Sequence, residues 1–113
     1  LAPALAAGCT VVIKGAPQTA GTNARMLEAL AQSPLLPKGV LNAFTETGHA
    51  GAQALVASPE VDVVSYTGST HVGKRIMADA AGTLKRLNLE LGGSAPCVVF
   101  EDADLATTIP ALV

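Results

Sequence analysis

The chain has no tryptophan, one tyrosine and two phenylalanines among its 113 residues. Any core must therefore be filled by Ala, Val, Leu and Ile rather than by aromatic rings. Charge is also scarce: seven Lys and Arg stand against nine Asp and Glu, for a net charge of −2. No basic patch runs through the sequence, which argues against nucleic acid as a partner. The apolar runs break well short of a bilayer span, so no membrane segment is expected. No charged-then-apolar leader opens the chain, and nothing suggests export. Cysteine is limited to Cys9 and Cys97, too far apart for a metal-ligand spacing, and no metal site is expected. Both lie in or beside apolar runs, as buried free thiols do, and that usage fits a reducing, cytoplasmic setting. The length suits one compact domain and not two. The sequence starts Leu-Ala-Pro and stops at Ala-Leu-Val in mid-pattern, with no polar tail at either end, as a piece of a longer protein would.

What is present is organised around Val61 to Gly93. Val61, Val63, Val64 and Tyr66 form a β-branched and aromatic run that suits a buried strand. Thr67, Gly68, Ser69 and Thr70 are turn and cap residues, with Gly68 and Gly73 in a G-x-x-x-x-G spacing. A helix follows from Ser69 to about Ala81, with Val72, Ile76, Met77 and Ala80 on one face and Gly82 as its stop. A small, hydroxyl-rich turn from strand into helix leaves backbone N–H groups pointing outward at the positive end of the helix dipole. Phosphate suits such a place. A second strand, Leu87 to Leu91, then brings Glu90 beside Gly92 and Gly93. An ordinary βαβ unit whose glycines only make turns is the competing reading of this stretch.

Elsewhere the same alternation holds. A small-residue helix, Ala2 to Ala7, closes at Gly8. Strand Thr10 to Ile13 leads to Lys14 and a turn at Gly15-Ala16-Pro17. A helix capped by Thr19 or Thr22 runs to about Gln32. Strand Val40 to Thr45 precedes a turn at Glu46-Thr47-Gly48 and a helix from His49 to about Ala57. After Ser94-Ala95-Pro96, a strand is expected over Cys97 to Phe100, and Glu101 to Asp104 open a last helix. Strands separated by helices need crossovers, so the predicted fold is α/β with a doubly wound, mostly parallel sheet. Ligands of such sheets bind outside the carboxyl ends of the strands. Lys14, Glu46, Gly68 and Glu90 all fall at or near those ends, which points to one shared site.

These residues also carry a family resemblance. Ala6-Ala7-Gly8-Cys9-Thr10-Val11-Val12-Ile13-Lys14 resembles the segment of aldehyde dehydrogenases that leads to their cofactor lysine. Leu36-Pro37-Lys38-Gly39-Val40-Leu41-Asn42 is similar to their next loop and strand. Tyr66-Thr67-Gly68-Ser69-Thr70-His71-Val72-Gly73 resembles their F-T-G-S-T-x-V-G turn. Leu89-Glu90-Leu91-Gly92-Gly93 resembles their catalytic-glutamate motif, and Phe100-Glu101-Asp102-Ala103-Asp104-Leu105 is similar as well. The resemblance covers the whole chain and implies an incomplete aldehyde dehydrogenase fold, with residues 1–113 as a Rossmann-like dinucleotide-binding fragment. It implies NAD or NADP as cofactor, a small-molecule aldehyde as substrate and, for the full-length protein, a homo-oligomer. In that family a cysteine thiolate attacks the aldehyde, a hydride leaves to the nicotinamide, and water hydrolyses the resulting thioester. Glu90 matches the general base. Lys14 matches the lysine that holds the adenosine ribose. Gly68, Ser69 and Gly73 belong to the pyrophosphate turn, Val72 matches an apolar neighbour of the adenine, and Leu91 follows the catalytic glutamate at the site. Taken without the family, Glu90 reads equally as an exposed strand-end acid, and Lys14 as a solvated strand-end lysine.

The departures are informative. The family often has a glutamate that grips the ribose hydroxyls where Pro17 stands. It usually has glycine where Glu46 stands, so Glu46 is a candidate for the missing ribose contact. The family lysine after the glycine pair is Ser94 here. His49 and His71 match no catalytic role. Neither Cys9 nor Cys97 has the nucleophile's context, so the chain alone is expected not to oxidise aldehydes. A stand-alone nucleotide-binding or interaction module derived from the same fold is the alternative.

Overall fold

A computed structural model describes residues 1–112; Val113, the last residue of the expected 1–113 domain, lies outside the described residues. Helix α1, Ala2–Ala6, has Pro3 in its first turn and ends at Gly8, whose φ of 81° is the left-handed conformation glycine tolerates. Strand β1 is Val11–Gly15, and a 3₁₀ turn, Pro17–Thr19, leads into α2, Ala20–Ala31. Thr19 takes the N-cap position, but its hydroxyl bonds the Ala16 carbonyl instead of an α2 amide. Strand β2 is Leu41–Thr45, α3 is Ala50–Ala57, β3 is Val63–Gly68, α4 is Thr70–Ala80, β4 is Arg86–Leu91 and α5 is Leu105–Leu112.

The expected parallel pairing is present, in two separate two-stranded sheets. β1 pairs with β2 and β3 pairs with β4, both in parallel, with Lys14 opposite Phe44 and Thr67 opposite Glu90. Helices cover both faces of the first pair. On one face Gly15 lies against Asn23 of α2, close enough that an added Cβ would sit 2.6 Å from Asn23 Nδ2. On the other, a Cβ at Gly51 of α3 would sit 2.6 Å from the Phe44 ring. Alternation divides the second pair in the same way. Val64, Tyr66 and Gly68, with Leu87, Leu89 and Leu91, are half-buried. Gly73 of α4 packs on this face against Leu91. Thr67, Asn88 and Glu90 stand on the exposed face, where Asn88 donates to the Ser65 hydroxyl at 3.3 Å. α3 and α4 pack on each other, so they share one side of the molecule.

Three sequence expectations are corrected. Residues 92–100 are irregular and unpaired, so no strand spans Cys97–Phe100; the segment leaves the carboxyl end of β4 through two glycines and Pro96 and does not return to a strand edge. Cys9 and Cys97 are exposed free thiols rather than buried ones, because Cys9 lies in the connection after Gly8 and Cys97 in that irregular segment. Gly82 is not where the helical turns stop. α4 tightens into a 3₁₀ turn, Ala81–Thr83, and Leu84 takes the positive φ, 52°. That unfavourable conformation for a branched residue is followed at once by an anchor. Lys85 Nζ donates to the carbonyl oxygens of Ser58, at the end of α3, and Val61, just before β3.

Nor is the chain compact. Its radius of gyration is 18.4 Å, against about 13 Å for a compact domain of this length. Val56 and Ala80 are the only buried hydrophobic residues among the described residues. Phe100 remains 74% exposed and Val98 70%. The apolar composition is real, but much of it is not used up in contacts within these residues.

Candidate functional site

The carboxyl ends of the four strands carry two helix N-termini on the α3–α4 side, and the two differ. At α4, Ser69 is the N-cap in extended conformation, and its hydroxyl accepts the Val72 amide at 3.3 Å. The next bond, from Gly73 N–H to the Ser69 carbonyl at 3.0 Å, closes the first turn. The amides of Thr70 and His71 have no partner among the described residues. The turn therefore offers two free donors at the positive end of an 11-residue helix, the arrangement that receives an anion. Gly68 keeps the approach narrow and backbone-lined. A Cβ there would collide with the Tyr66 hydroxyl and lie 2.6 Å from the ring carbon that carries it. Tyr66 is half-buried, and its ring lies along the strand toward this turn. Val72 is partly exposed on the first turn of α4, and Gly73 is buried against Leu91.

At α3 two of the first-turn donors are taken. The Gly51 amide donates to Glu46 Oε2 at 2.8 Å and the Ala52 amide to Glu46 Oε1 at 3.0 Å. Glu46 is half-buried. Sequence reasoning placed Glu46 at the site but missed this role. The signal was an acid five and six residues ahead of two small residues at a helix start, with Gly48 between. The Glu46 carboxyl is held below the ordinary glutamate range, chiefly by the Gly51 amide. Partial loss of water opposes this, while the Ala52 amide and the charges of Lys14 and His49 add to it. Lys14 acts on the carboxylate through its charge alone, from the neighbouring strand, where it is half-buried opposite Phe44. Pro17 lies beyond the end of β1, exposed in the 3₁₀ turn, and supplies no donor or acceptor side chain.

A depressed carboxyl contributes stability that is complete above its unfolded-state value and lost as the pH falls through its folded-state value. The stability lead of the wild type over Glu46→Gln should therefore be full near neutrality and shrink as the pH drops below about 4. Melting curves of both proteins across that range check it. A lead that stays constant into acid would remove the assignment.

Glu90 does not join this set, so the single shared site expected from the strand ends is corrected: alternation along β4 puts Leu91 under α4 and Glu90 on the opposite face. It stands at the end of β4, exposed, on the face turned away from α4. Its carboxylate has no hydrogen bond to the protein among the described residues. Lys14, Glu46, Gly68, Ser69, Val72, Gly73 and Leu91 thus gather on the α3–α4 side or at the strand ends, with Glu90 across the edge of the sheet. His49 is the N-cap residue of α3 and His71 lies in the first turn of α4. No group of His, Cys, Asp and Glu among the described residues could hold a metal ion, and no helix among them is long and apolar enough to cross a membrane.

The two parallel strand pairs, with helices on both faces of the first and α4 on one face of the second, define the class: an α/β protein with a partial Rossmann-like fold. Comparison with known proteins gives the family. The aldehyde dehydrogenase family profile matches residues 1–113, and the chain belongs to that family. Aldehyde dehydrogenase family 2 member C4 of Arabidopsis thaliana is 47% identical, over 93% of this chain and 21% of its own length. Succinate-semialdehyde dehydrogenase [NADP(+)] 1 of Schizosaccharomyces pombe is 49% identical, over 97% of this chain and 22% of its own. The betaine aldehyde dehydrogenase of Staphylococcus aureus, solved in complex with NAD+, superposes with a TM-score of 0.79 at 38% identity, over 96% of this chain and 22% of that one. The chain spans about a fifth of the length of the curated relatives it matches.

Proposed function

We propose that these residues form the dinucleotide-binding part of an NAD- or NADP-dependent aldehyde dehydrogenase, which oxidises an aldehyde to a carboxylic acid. The observation that carries the reading is the open amide end of α4 beside a glycine whose Cβ position lies against the Tyr66 side chain, one strand from Glu90. These residues fit a dinucleotide. The Thr70 and His71 amides would receive the pyrophosphate, Lys14 a ribose hydroxyl, and Val72 the flat face of the adenine. When bound, the dinucleotide supplies the hydride acceptor. The α4 amides, Lys14 and Val72 would hold it on the α3–α4 side, while Glu90 stands on the opposite face of β4. On that face Glu90 acts as general base, taking a proton from the attacking thiol or from the hydrolytic water. Cys9 is not the nucleophile in this reading, since it precedes the amino end of β1 while the site lies at the carboxyl end. Cys97 lies in the irregular segment after β4, without the nucleophile's sequence context, so the thiol comes from outside these residues. The names of the relatives span both dinucleotides, so the fold by itself does not choose between them.

The test is aldehyde-dependent reduction of NAD+ and NADP+ by the protein expressed from the complete reading frame, with succinate semialdehyde and betaine aldehyde among the substrates. Turnover by that protein, with none from residues 1–113 alone, is the expected result. Steady turnover by residues 1–113 alone would contradict the placement of the nucleophile. Failure of the complete protein to bind either dinucleotide would overturn the whole reading.

A further inference from the structure

Resting on the reading of Glu90 as general base, we infer that Lys85 is a positioning residue: it sets how far β4 runs along β3, and so where Glu90 stands. The two strands are joined through α4 and a 3₁₀ turn, so no tight hairpin fixes their register. Alternation of side chains fixes only part of it. Val64 and Tyr66 share the half-buried face with Leu87 and Leu89, while Ser65 and Thr67 share the exposed face with Asn88 and Glu90. A slip of one residue would reverse the faces of β4 and bury Asn88 and Glu90. A slip of two residues leaves every face as it is. It would carry Glu90 about 7 Å along the sheet and take Leu91 off Gly73.

Contacts at the two ends of β4 oppose that slip. At the carboxyl end Leu91 lies against Gly73. At the amino end Lys85 Nζ donates to the carbonyl oxygens of Ser58 and Val61. Both acceptors belong to the connection that leads from α3 into β3, so the ammonium ties the start of β4 to the start of β3. The Arg86 amide adds a bond to the Asp62 carbonyl at 3.0 Å, but a backbone amide is the same in every register. The Lys85 bonds depend on one side chain. Between the ends, Asn88 and Ser65 form an exposed, neutral bond at 3.3 Å, weaker than bonds from a charged donor. Leu84 serves the same arrangement. It holds a φ of 52° while 91% exposed, so its left-handed turn is not offset by burial of its own side chain. What that turn achieves is the delivery of Lys85 to the two carbonyls.

The experiment uses the protein from the complete reading frame with Lys85 intact, as Lys85→Met and as Lys85→Arg. Methionine keeps an unbranched stem without donors, and arginine keeps the donors. For the register, Asn88→Cys is combined in turn with Val63→Cys, Ser65→Cys and Thr67→Cys, all on the exposed face. The exposed thiols Cys9 and Cys97 are replaced by serine, and disulfides are mapped by peptide mass spectrometry. Directly paired positions lie about 5 Å apart and can bridge, while positions two residues further along lie about 8 Å apart and cannot. With Lys85 intact only the Ser65→Cys pair should close, because Ser65 is the register partner of Asn88. Lys85→Met should let the Val63→Cys or Thr67→Cys pair close as well, and Lys85→Arg should suppress it. In the absence of the cysteine substitutions, Lys85→Met should lower kcat roughly tenfold at a temperature where circular dichroism shows it folded. Lys85→Arg should return kcat to within about threefold of wild type. A lysine that only adds stability would lower the melting temperature and move neither readout, which overturns the inference. Movement of one readout without the other overturns it too. A Val63→Cys or Thr67→Cys pair that already closes with Lys85 intact overturns it with no Lys85 variant, so the test survives a Lys85→Met protein that fails to fold. Wild-type kcat in Glu90→Gln overturns instead the reading of Glu90, and the disulfide pattern then still reports the register.

Discussion

Glu90→Gln in the protein from the complete reading frame is expected to lower kcat by roughly 10² to 10⁴, with the dissociation constant for NAD+ within about twofold. The size of the loss follows from what the substitution removes. Glutamine matches glutamate in shape but cannot accept a proton, so the proposed general base is deleted and little else changes. The structure makes this unusually clean. Glu90 is exposed, makes no hydrogen bond to the protein among the described residues, and sits on the sheet face away from the α4 amides. No packing or cap is lost, so the melting temperature should not move. Glu60 is the control: it is an exposed acid on the loop before β3, and Glu60→Gln should leave kcat unchanged. A variant that turns over at the wild-type rate would show that the base is another residue.

Much of this arrangement was legible in the residues. β-branched runs between helical periods gave four strands in parallel pairs, and Ser69 behaved as a cap because a short hydroxyl before a helix has one good partner, the N3 amide. What was hidden depends on contacts between distant segments. The sheet is interrupted between the two pairs, and no local pattern announces where a strand lacks a neighbour. Cys97 to Phe100 has every local preference of a strand, but a strand needs an edge to pair with, and the chain is carried away from one. Glu46 was placed near the site for its position at a strand end. That both oxygens turn to α3 is a matter of loop geometry. The face of Glu90 follows from the period of two along β4. Once α4 is known to pack on Leu91, Glu90 must point the other way.

The remaining large effect concerns the fit that holds α4, and with it the phosphate turn, against β4. Gly73 is buried in the first turn of α4, and a Cβ there would sit 2.5 Å and 2.8 Å from the two methyl carbons of Leu91. Those atoms end a flexible side chain, so alanine can be admitted if Leu91 shifts. Alanine also gains about 1 kcal/mol over glycine in helix propensity. Gly73→Ala should therefore fall near neutrality. Gly73→Val has no such offset. It adds two more methyl groups where one is already tight, and its branched Cβ narrows its own rotamers in a helix. The expected loss is about 2–3 kcal/mol from overpacking, read as a lower urea midpoint. If the valine variant stays folded, α4 must lift from Leu91, and the amides of Thr70 and His71 lift with it. Dinucleotide affinity should then fall by roughly tenfold, since about 1.4 kcal/mol of lost contact is a decade. Leu91→Ala in the same background opens the space again and should return part of both losses. A Gly73→Val protein that unfolds at the wild-type midpoint and binds NAD+ as tightly would mean that α4 is not seated on β4 at this contact.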